Sequence, residues 1–162
     1  MSNMGKPERA TQNRVIKLFT DTLDYTYLGK WQDRESNSNI EESQLEAYLT
    51  ETGYSPDHIS CAIHQLRVAA GNTNRSLHEN NKAVYGLLRY GVQVKVSAGE
   101  NTETVKLLDW DSPQKNHFAI AEEVTLKGNH ERRPDLVLYV KGLAIGVIEL
   151  KNSRADIGKA VR

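Results

Sequence analysis

The chain has 162 residues, 38% of them hydrophobic and 26% charged, and its 21 basic and 21 acidic side chains balance. This length and composition suit one globular domain with a sizeable core and exclude wholesale disorder, while the zero net charge argues against a small stand-alone DNA-coating protein. No apolar run of 18 residues and no signal-like N-terminus occur, and a single cysteine cannot form an internal disulfide. We therefore expect a cytoplasmic protein without a membrane span.

The first part of the sequence predicts four helices. Apolar residues recur at helical spacing in residues 8–19, 39–53, 55–71 and 76–90. The third helix has Ser-Pro at its start and the last three are followed or closed by glycine, which are typical helix boundaries. Between the first two helices, residues 24–39 are predicted to form an aromatic-rich turn and a polar loop.

The second part predicts strands. Residues 92–97 alternate like a half-exposed strand, and residues 117–126, 134–140 and 143–151 are further apolar strands. Helices followed by a strand meander predict an α+β or mixed α/β fold. A helix is expected to begin at residue 153, and its short length before the last residue is what a domain cut from a longer chain would show.

The last two predicted strands each carry a carboxylate beside their apolar run, Asp135 and Glu149. A three-residue turn over residues 141–143, with its glycine in a left-handed conformation, would place Asp135 opposite Glu149. Lys151 would then share their face, because side chains alternate along a strand. A two-residue turn would instead put the two acids on opposite faces.

Two carboxylates about 5 Å apart repel and are costly to bury unless a cation lies between them. A hard divalent ion such as Mg²⁺ would resolve that conflict, with Asp135 and Glu149 as ligands and the carbonyl of Leu150 as a further oxygen. Lys151 would lie beside the metal, where it could orient a water or stabilise charge on a phosphate. A buried ion pair between Lys151 and one of the acids is the alternative.

The basic side chains are concentrated near the same strands. Residues 127–162 hold eight Lys or Arg and four acids, a net charge of +4, which leaves −4 for residues 1–126. A polyanion could bind at this positive end, and the alternative is a solvated surface. The candidate phosphate contacts are Arg132, Arg133, Arg154 and Lys159.

Pro134-Asp135, thirteen further residues and then Glu149-Leu150-Lys151 resemble the PD-(D/E)xK nuclease motif. The surrounding "ERRPDLVLYVKGLAIGVIELKNSRADIGKAVR" is similar to the nuclease segment of the restriction (R) subunit of type I restriction enzymes. The segments "TQNRVIKLFTDTLDYTYLGKW", "NNKAVYGLLRYGVQV" and "DWDSPQKNHFAIAEEVTL" extend that resemblance over most of residues 8–162.

The resemblance implies a restriction-endonuclease-like mixed β-sheet flanked by helices, with additional N-terminal helices. Residues 1–75 would form the N-terminal helical part of one domain, and residues 76–162 its nuclease core, truncated at the C-terminal end. Asp135 and Glu149 would be metal ligands and Lys151 the catalytic lysine. A further catalytic acid is implied on a helix, for which Glu79 is the best-placed candidate and Glu8 a weaker one, although Glu79 also suits the first turn of a helix.

The implied activity is Mg²⁺-dependent hydrolysis of double-stranded DNA inside a larger ATP-driven complex with methylation and specificity subunits. The sequence contains no GxxxxGK[ST] phosphate loop, so we expect ATP to be used by another part of the full-length subunit. We also expect weak, salt-dependent DNA binding by the chain alone. A DNA repair or junction-resolving nuclease with the same motif, and a non-catalytic interaction domain with the nuclease fold, are the alternatives.

Overall fold

The computed structural model describes residues 6–97, 99, 101–126 and 131–150. These residues form an α+β fold with four α-helices, a mixed sheet of four strands and a sheet of two strands, as the element order predicted. None of their helices is both long and apolar enough to cross a membrane. The chain divides into two compact units, a helical unit of residues 41–116 and a sheet unit formed by residues up to 40 and from 117 onward. The predicted assignment of residues 1–75 to an N-terminal helical part and 76–162 to a nuclease core of one domain stays a prediction.

All four predicted helices are present. Their boundaries follow from local capping: Ser55 accepts a hydrogen bond from the His58 backbone, and Ser76 and Glu79 form a reciprocal capping box. A π-helical turn, Leu18–Thr22, extends the first helix. The helices are α1 (Lys6–Lys17), α2 (Glu42–Glu51), α3 (Pro56–Ala70) and α4 (Leu77–Tyr90).

The strands are shorter than predicted, and two, at residues 26–30 and 103–105, were missed. The region 24–39, predicted to be a turn and loop, contains a strand with a positive φ at Gly29 and mostly exposed residues. This strand lacks the alternation of apolar and polar residues that predicts a strand from sequence. Only its pairing with a neighbouring strand defines it. The strands are β1 (Thr26–Lys30), β2 (Val92–Val94), β3 (Glu103–Val105), β4 (Phe118–Glu122), β5 (Leu136–Val140) and β6 (Leu143–Ile148).

The sheet unit is built on the strand order β1-β4-β5-β6. β1 runs parallel to β4, and the other two pairings are antiparallel. One face carries an apolar cluster in which the rings of Trp31 and Tyr139 lie 5.5 Å apart. The cluster contains Trp31, Ala119, Ala121, Val124, Val137 and Tyr139.

The helical unit contains α2, α3, α4 and the antiparallel pair β2–β3. Most of the apolar residues at helical spacing in α2 and α3 are buried, although Ala70 is exposed and Tyr48 is half-buried. Its core includes Leu45, Leu49, Ile59, Ala62, Ile63, Leu66, Val92, Val94, Val105 and Leu107.

Candidate active site

The β5–β6 hairpin brings Asp135 and Glu149 together by a route that differs from the predicted one. Its turn has two residues, Lys141 and Gly142, both with positive φ as a type I′ turn requires, and not the predicted three. The register then shifts by one, because Ile145 is an extra residue in β6 and forms a β-bulge. Beyond this bulge Leu136 pairs with Ile148, and the same register continued by one residue places Asp135 opposite Glu149.

A hydrogen bond confirms that the two chain segments are close at this point. The backbone N–H of Leu150 donates to Oδ2 of Asp135 over 2.6 Å. Asp135 is half-buried and Glu149 is exposed. The prediction that the two acids oppose each other is therefore confirmed, whereas the predicted turn was wrong and the bulge compensates for the difference.

The main chain of Asp135 is held from a second direction. Its carbonyl oxygen accepts hydrogen bonds from the backbone N–H of Glu123, over 2.9 Å, and from Nε2 of Gln12 on α1, over 3.3 Å. Nε2 of Gln12 also donates to Oε2 of Glu122 over 3.0 Å. Because both partners are acceptors, the amide nitrogen of Gln12 must face them. Gln12 thus connects α1 to the ends of both β4 and β5.

Glu122, the last residue of β4, is a buried carboxylate whose hydrogen bonds are satisfied. Arg9 donates to it with both terminal nitrogens, over 2.6 and 3.2 Å, and the Tyr27 hydroxyl donates over 2.6 Å. With the Gln12 amide, its two oxygens receive four hydrogen bonds. A fork of this kind is a strong, charge-assisted contact, so α1 and β1 are fixed to the end of β4.

These contacts shift the pKa of three groups. Burial tends to raise the pKa of Glu122, but hydrogen bonds from Arg9 and Tyr27 outweigh it and the pKa lies below its ordinary value. Burial, followed by the hydrogen bond to Glu122, raises the pKa of Tyr27 to about 12. The hydrogen bond to Glu122 raises the pKa of Arg9. The cluster therefore holds Glu122 ionised and Tyr27 neutral at physiological pH.

Glu123, the next residue, is a buried carboxylate of a different kind. Only 2% of it is exposed, and neither oxygen receives a hydrogen bond from the described residues. Three cations surround it: Nζ of Lys30 lies 3.2 Å away, Nη1 of Arg9 3.8 Å and Nε of Arg133 3.9 Å. Its backbone has a φ of +49°, in the left-handed region that non-glycine residues rarely adopt. The end of β4 thus carries a strained, charged position next to Asp135.

Residues 5–162 match the protein family described as Type I restriction enzyme R protein N terminus. The chain belongs to this family. It is 30% identical over 101 residues to the MjaIXP type I restriction enzyme endonuclease subunit of Methanocaldococcus jannaschii, which covers 59% of this chain and 10% of that relative. It is 33% identical over 76 residues to the type I restriction enzyme HindI endonuclease subunit of Haemophilus influenzae, covering 44% of this chain and 7% of that relative. The chain therefore spans about a tenth or less of these relatives, and no solved structure was found to match it.

In this member of the family the predicted site residues are distributed over several places. Asp135, Glu149 and Leu150 come together at the open end of the β5–β6 hairpin. Arg133 points to Glu123, and Arg132 is exposed and forms a backbone bridge with Leu126. The predicted catalytic Lys151 and the predicted DNA contacts Arg154 and Lys159 lie outside the described residues.

Glu79 belongs to the helical unit, where its carboxylate accepts hydrogen bonds from the backbone N–H and the hydroxyl of Ser76, over 2.8 and 2.7 Å. The backbone hydrogen bond, and then the hydroxyl, lower the pKa of Glu79. The capping box accounts for this residue as a first-turn acid, and its catalytic role remains a prediction. Glu8, the weaker candidate, lies on α1 beside Arg9.

The polar cluster around Glu122 and Glu123 was not predicted from the sequence. The sequence does contain a sign of this cluster. Two carboxylates interrupt the apolar run "FAIAEEVTL", and Asp135 similarly stands at the start of the next apolar run. Arg9 and Gln12 are three positions apart on α1 and therefore share a face of that helix. The contact between that face and β4 spans more than 100 residues of sequence, which no local pattern reveals.

The residues at the hairpin end suit a magnesium ion by their donor chemistry. Asp135 and Glu149 supply two carboxylates, and Leu150 supplies a main-chain carbonyl one residue further on. No three His, Cys, Asp or Glu side chains within the described ranges are arranged to hold a metal together. Mg²⁺ commonly uses only one or two carboxylates and completes its shell with waters and substrate phosphates, so two acids suffice.

Proposed function

We propose that this domain hydrolyses the phosphodiester backbone of double-stranded DNA with Mg²⁺, as the endonuclease part of a type I restriction enzyme R subunit. It would act inside a larger ATP-driven translocating complex, together with methylation and specificity subunits. The observation that carries this proposal is the juxtaposition of Asp135 with Glu149 and Leu150, restored by the β-bulge at Ile145. An apolar hairpin has no structural need for two opposed acids at its open end.

Each residue at the hairpin end has a distinct task in this proposal. Asp135 and Glu149 would hold the magnesium ion, with the carbonyl of Leu150 as a further oxygen. The ion, when bound, would supply Lewis-acid polarisation of the phosphate. The Leu150 N–H fixes one carboxylate oxygen of Asp135, which keeps that side chain oriented before DNA arrives. Lys151 would position the attacking water and stabilise charge that develops on the phosphate.

Family membership supports a restriction enzyme over a DNA repair or junction-resolving nuclease with the same motif. The two relatives described above are both named endonuclease subunits of type I restriction enzymes. This chain covers about a tenth or less of their length. In this proposal, translocation and ATP hydrolysis would belong to other parts of the R subunit. The non-catalytic interaction domain is distinguished by experiment.

The test uses the complete restriction enzyme with circular DNA that carries its recognition site. Asp135→Asn and Glu149→Gln are expected to reduce DNA cleavage to background and to leave DNA-stimulated ATP hydrolysis intact. Glu42→Gln, which removes an exposed carboxylate from the helical unit, is the matched control and should cleave normally. Normal cleavage by Asp135→Asn would instead identify a non-catalytic domain.

Metal binding gives a second readout that does not depend on cleavage. Mn²⁺ titrated into the chain and followed by electron paramagnetic resonance should bind weakly at one site. Glu149→Gln should lose that site, while Glu42→Gln keeps it. Equal binding by both variants would contradict the proposed ligands.

A further inference from the structure

The two neighbouring carboxylates at the end of β4 are both buried, yet they differ in their partners. Glu122 is 3% exposed and its oxygens receive four hydrogen bonds, whereas Glu123 is 2% exposed and receives none from the described residues. Buried charges are normally hydrogen-bonded, because an unsatisfied ionised group is costly. The surrounding positive charge therefore stabilises the buried carboxylate of Glu123. Attachment of α1 to the sheet, which explains the burial of Glu122, does not explain the burial of Glu123.

The cations around Glu123 are not equivalent. Both terminal nitrogens of Arg9 already donate hydrogen bonds to Glu122, so at 3.8 Å from Glu123 its guanidinium acts on that carboxylate only through its charge. Lys30 and Arg133 approach Glu123 at 3.2 and 3.9 Å, and within the described residues neither has another ion pair. Neither contact has hydrogen-bond geometry. Their N–H groups therefore lie near Glu123 but donate no hydrogen bond to it.

Lys30 and Arg133 also carry surplus charge towards solvent. Their side chains are 42% and 36% exposed, whereas the carboxylate between them is buried. Arg9 and Glu122 neutralise each other, so Lys30, Arg133 and Glu123 together leave one positive charge. A buried acid that contacts two half-exposed cations keeps both of them near one place, where an incoming anion can meet their donor groups.

The position of this pair relates it to the proposed metal site. Arg133 precedes Asp135 by two residues, and the Glu123 N–H donates directly to the Asp135 carbonyl over 2.9 Å. The left-handed backbone of Glu123 is a further sign, because such strain concentrates where a side chain must be aimed for function. An anion bound by Lys30 and Arg133 would therefore lie beside the acids that hold the metal.

We propose that Lys30 and Arg133 form a phosphate-binding pair for the DNA backbone, held in place by the buried carboxylate of Glu123. The proposal deepens the nuclease assignment and rests on it, because it names the residues that bring the DNA strand to Asp135. On binding, the phosphate oxygens accept the hydrogen bonds that Glu123 leaves unused. Arg9 remains with Glu122 and has a structural role.

Equilibrium binding of a labelled DNA duplex to the chain, in EDTA and over a range of salt concentrations, tests the pair. Each phosphate contact adds about 0.9 to the slope of log affinity against log salt. Lys30→Gln and Arg133→Gln should each lower that slope by about 1 and weaken binding equally for unrelated sequences. Lys30→Arg and Arg133→Lys keep the charge and should keep the slope.

Lys106→Gln is the matched control, since it removes an exposed lysine from an ion pair with Asp111 in the helical unit. Slopes that change no more in Lys30→Gln and Arg133→Gln than in this control would overturn the inference. Thermal unfolding of each variant shows that the fold is retained. DNA binding is measured in EDTA and therefore does not depend on the proposed metal site. If the slopes of Lys30→Gln and Arg133→Gln are unchanged while Asp135→Asn abolishes cleavage, the phosphate pair is rejected and the nuclease assignment stands.

Discussion

The sheet unit and the helical unit each contain an arginine–glutamate ion pair, and the two pairs are built differently. In the sheet unit, Arg9 forks onto a 3% exposed Glu122 at 2.6 Å, across 113 residues of sequence. In the helical unit, Arg67 meets Glu42 at 3.3 Å with both side chains about half exposed. The first pair belongs to a satisfied buried network, and the second is a surface contact of the kind that contributes little to stability.

The two units also differ in how they hold the acids that were predicted as site residues. Glu79 in the helical unit is accounted for by a residue three positions away, through its capping box. Asp135 in the sheet unit is held by Leu150 beyond the end of β6, by Glu123 just after β4 and by Gln12 on α1. A carboxylate whose environment is assembled from distant segments is the better candidate for function, because local structure does not explain it.

The largest effect is expected from inserting one alanine between Val147 and Ile148. The insertion would move Glu149 one position further along the strand, so it would no longer lie opposite Asp135 and would face the other side of the hairpin. Cleavage by the complete enzyme should fall to background. Deletion of Ile145 is the control: it removes only the unpaired bulge residue, which is 52% exposed, and leaves the two acids opposed, so cleavage should persist. A folded insertion variant that still cleaves would show that the register does not position the acids.

The helices and the β5–β6 hairpin show which features of this fold can be predicted from the sequence. The four helices were predicted because their caps and apolar spacing are local, as at Ser55 and Ser76. The opposition of Asp135 and Glu149 was predicted with the wrong turn, because one glycine cannot distinguish a three-residue loop from a two-residue loop followed by a bulge. β1 was missed since its pairing with β4 is non-local and its residues are mostly exposed.

The two ion pairs are expected to contribute differently to the free energy of unfolding. Glu122→Gln keeps the side-chain shape but removes the negative charge to which Arg9, Tyr27 and Gln12 all donate hydrogen bonds. With allowance for the half-exposed Arg9, we expect the free energy of unfolding to fall by about 2 kcal/mol. Glu42→Gln, in the exposed pair, should cost less than about 0.5 kcal/mol. Urea unfolding of both variants gives the two values, and equal losses would show that burial of Glu122 adds nothing.

A smaller effect is expected at high pH, and only in the sheet unit. Because the pKa of Tyr27 is raised to about 12 from an ordinary value of 10, its contribution to stability is complete below pH 10 and is lost as the pH rises to about 12. Tyr27→Phe should remove this part of the pH dependence. Absorbance titration should show a late-ionising signal that is lost in Tyr27→Phe, and an unchanged titration of that variant would assign the late group elsewhere.

The smallest effect is expected at Glu79, where the two explanations of one acid can be separated. Glu79→Gln removes the charge but retains an acceptor for the Ser76 N–H, since glutamine also completes a capping box. A capping role therefore predicts unchanged cleavage and nearly unchanged thermal stability for Glu79→Gln, with a lower melting temperature for Glu79→Ala. A catalytic role instead predicts that Glu79→Gln loses cleavage as completely as Glu79→Ala. Comparing the pair in the complete enzyme, with Asp135→Asn as the inactive reference, decides whether the helical unit contributes a group to the reaction.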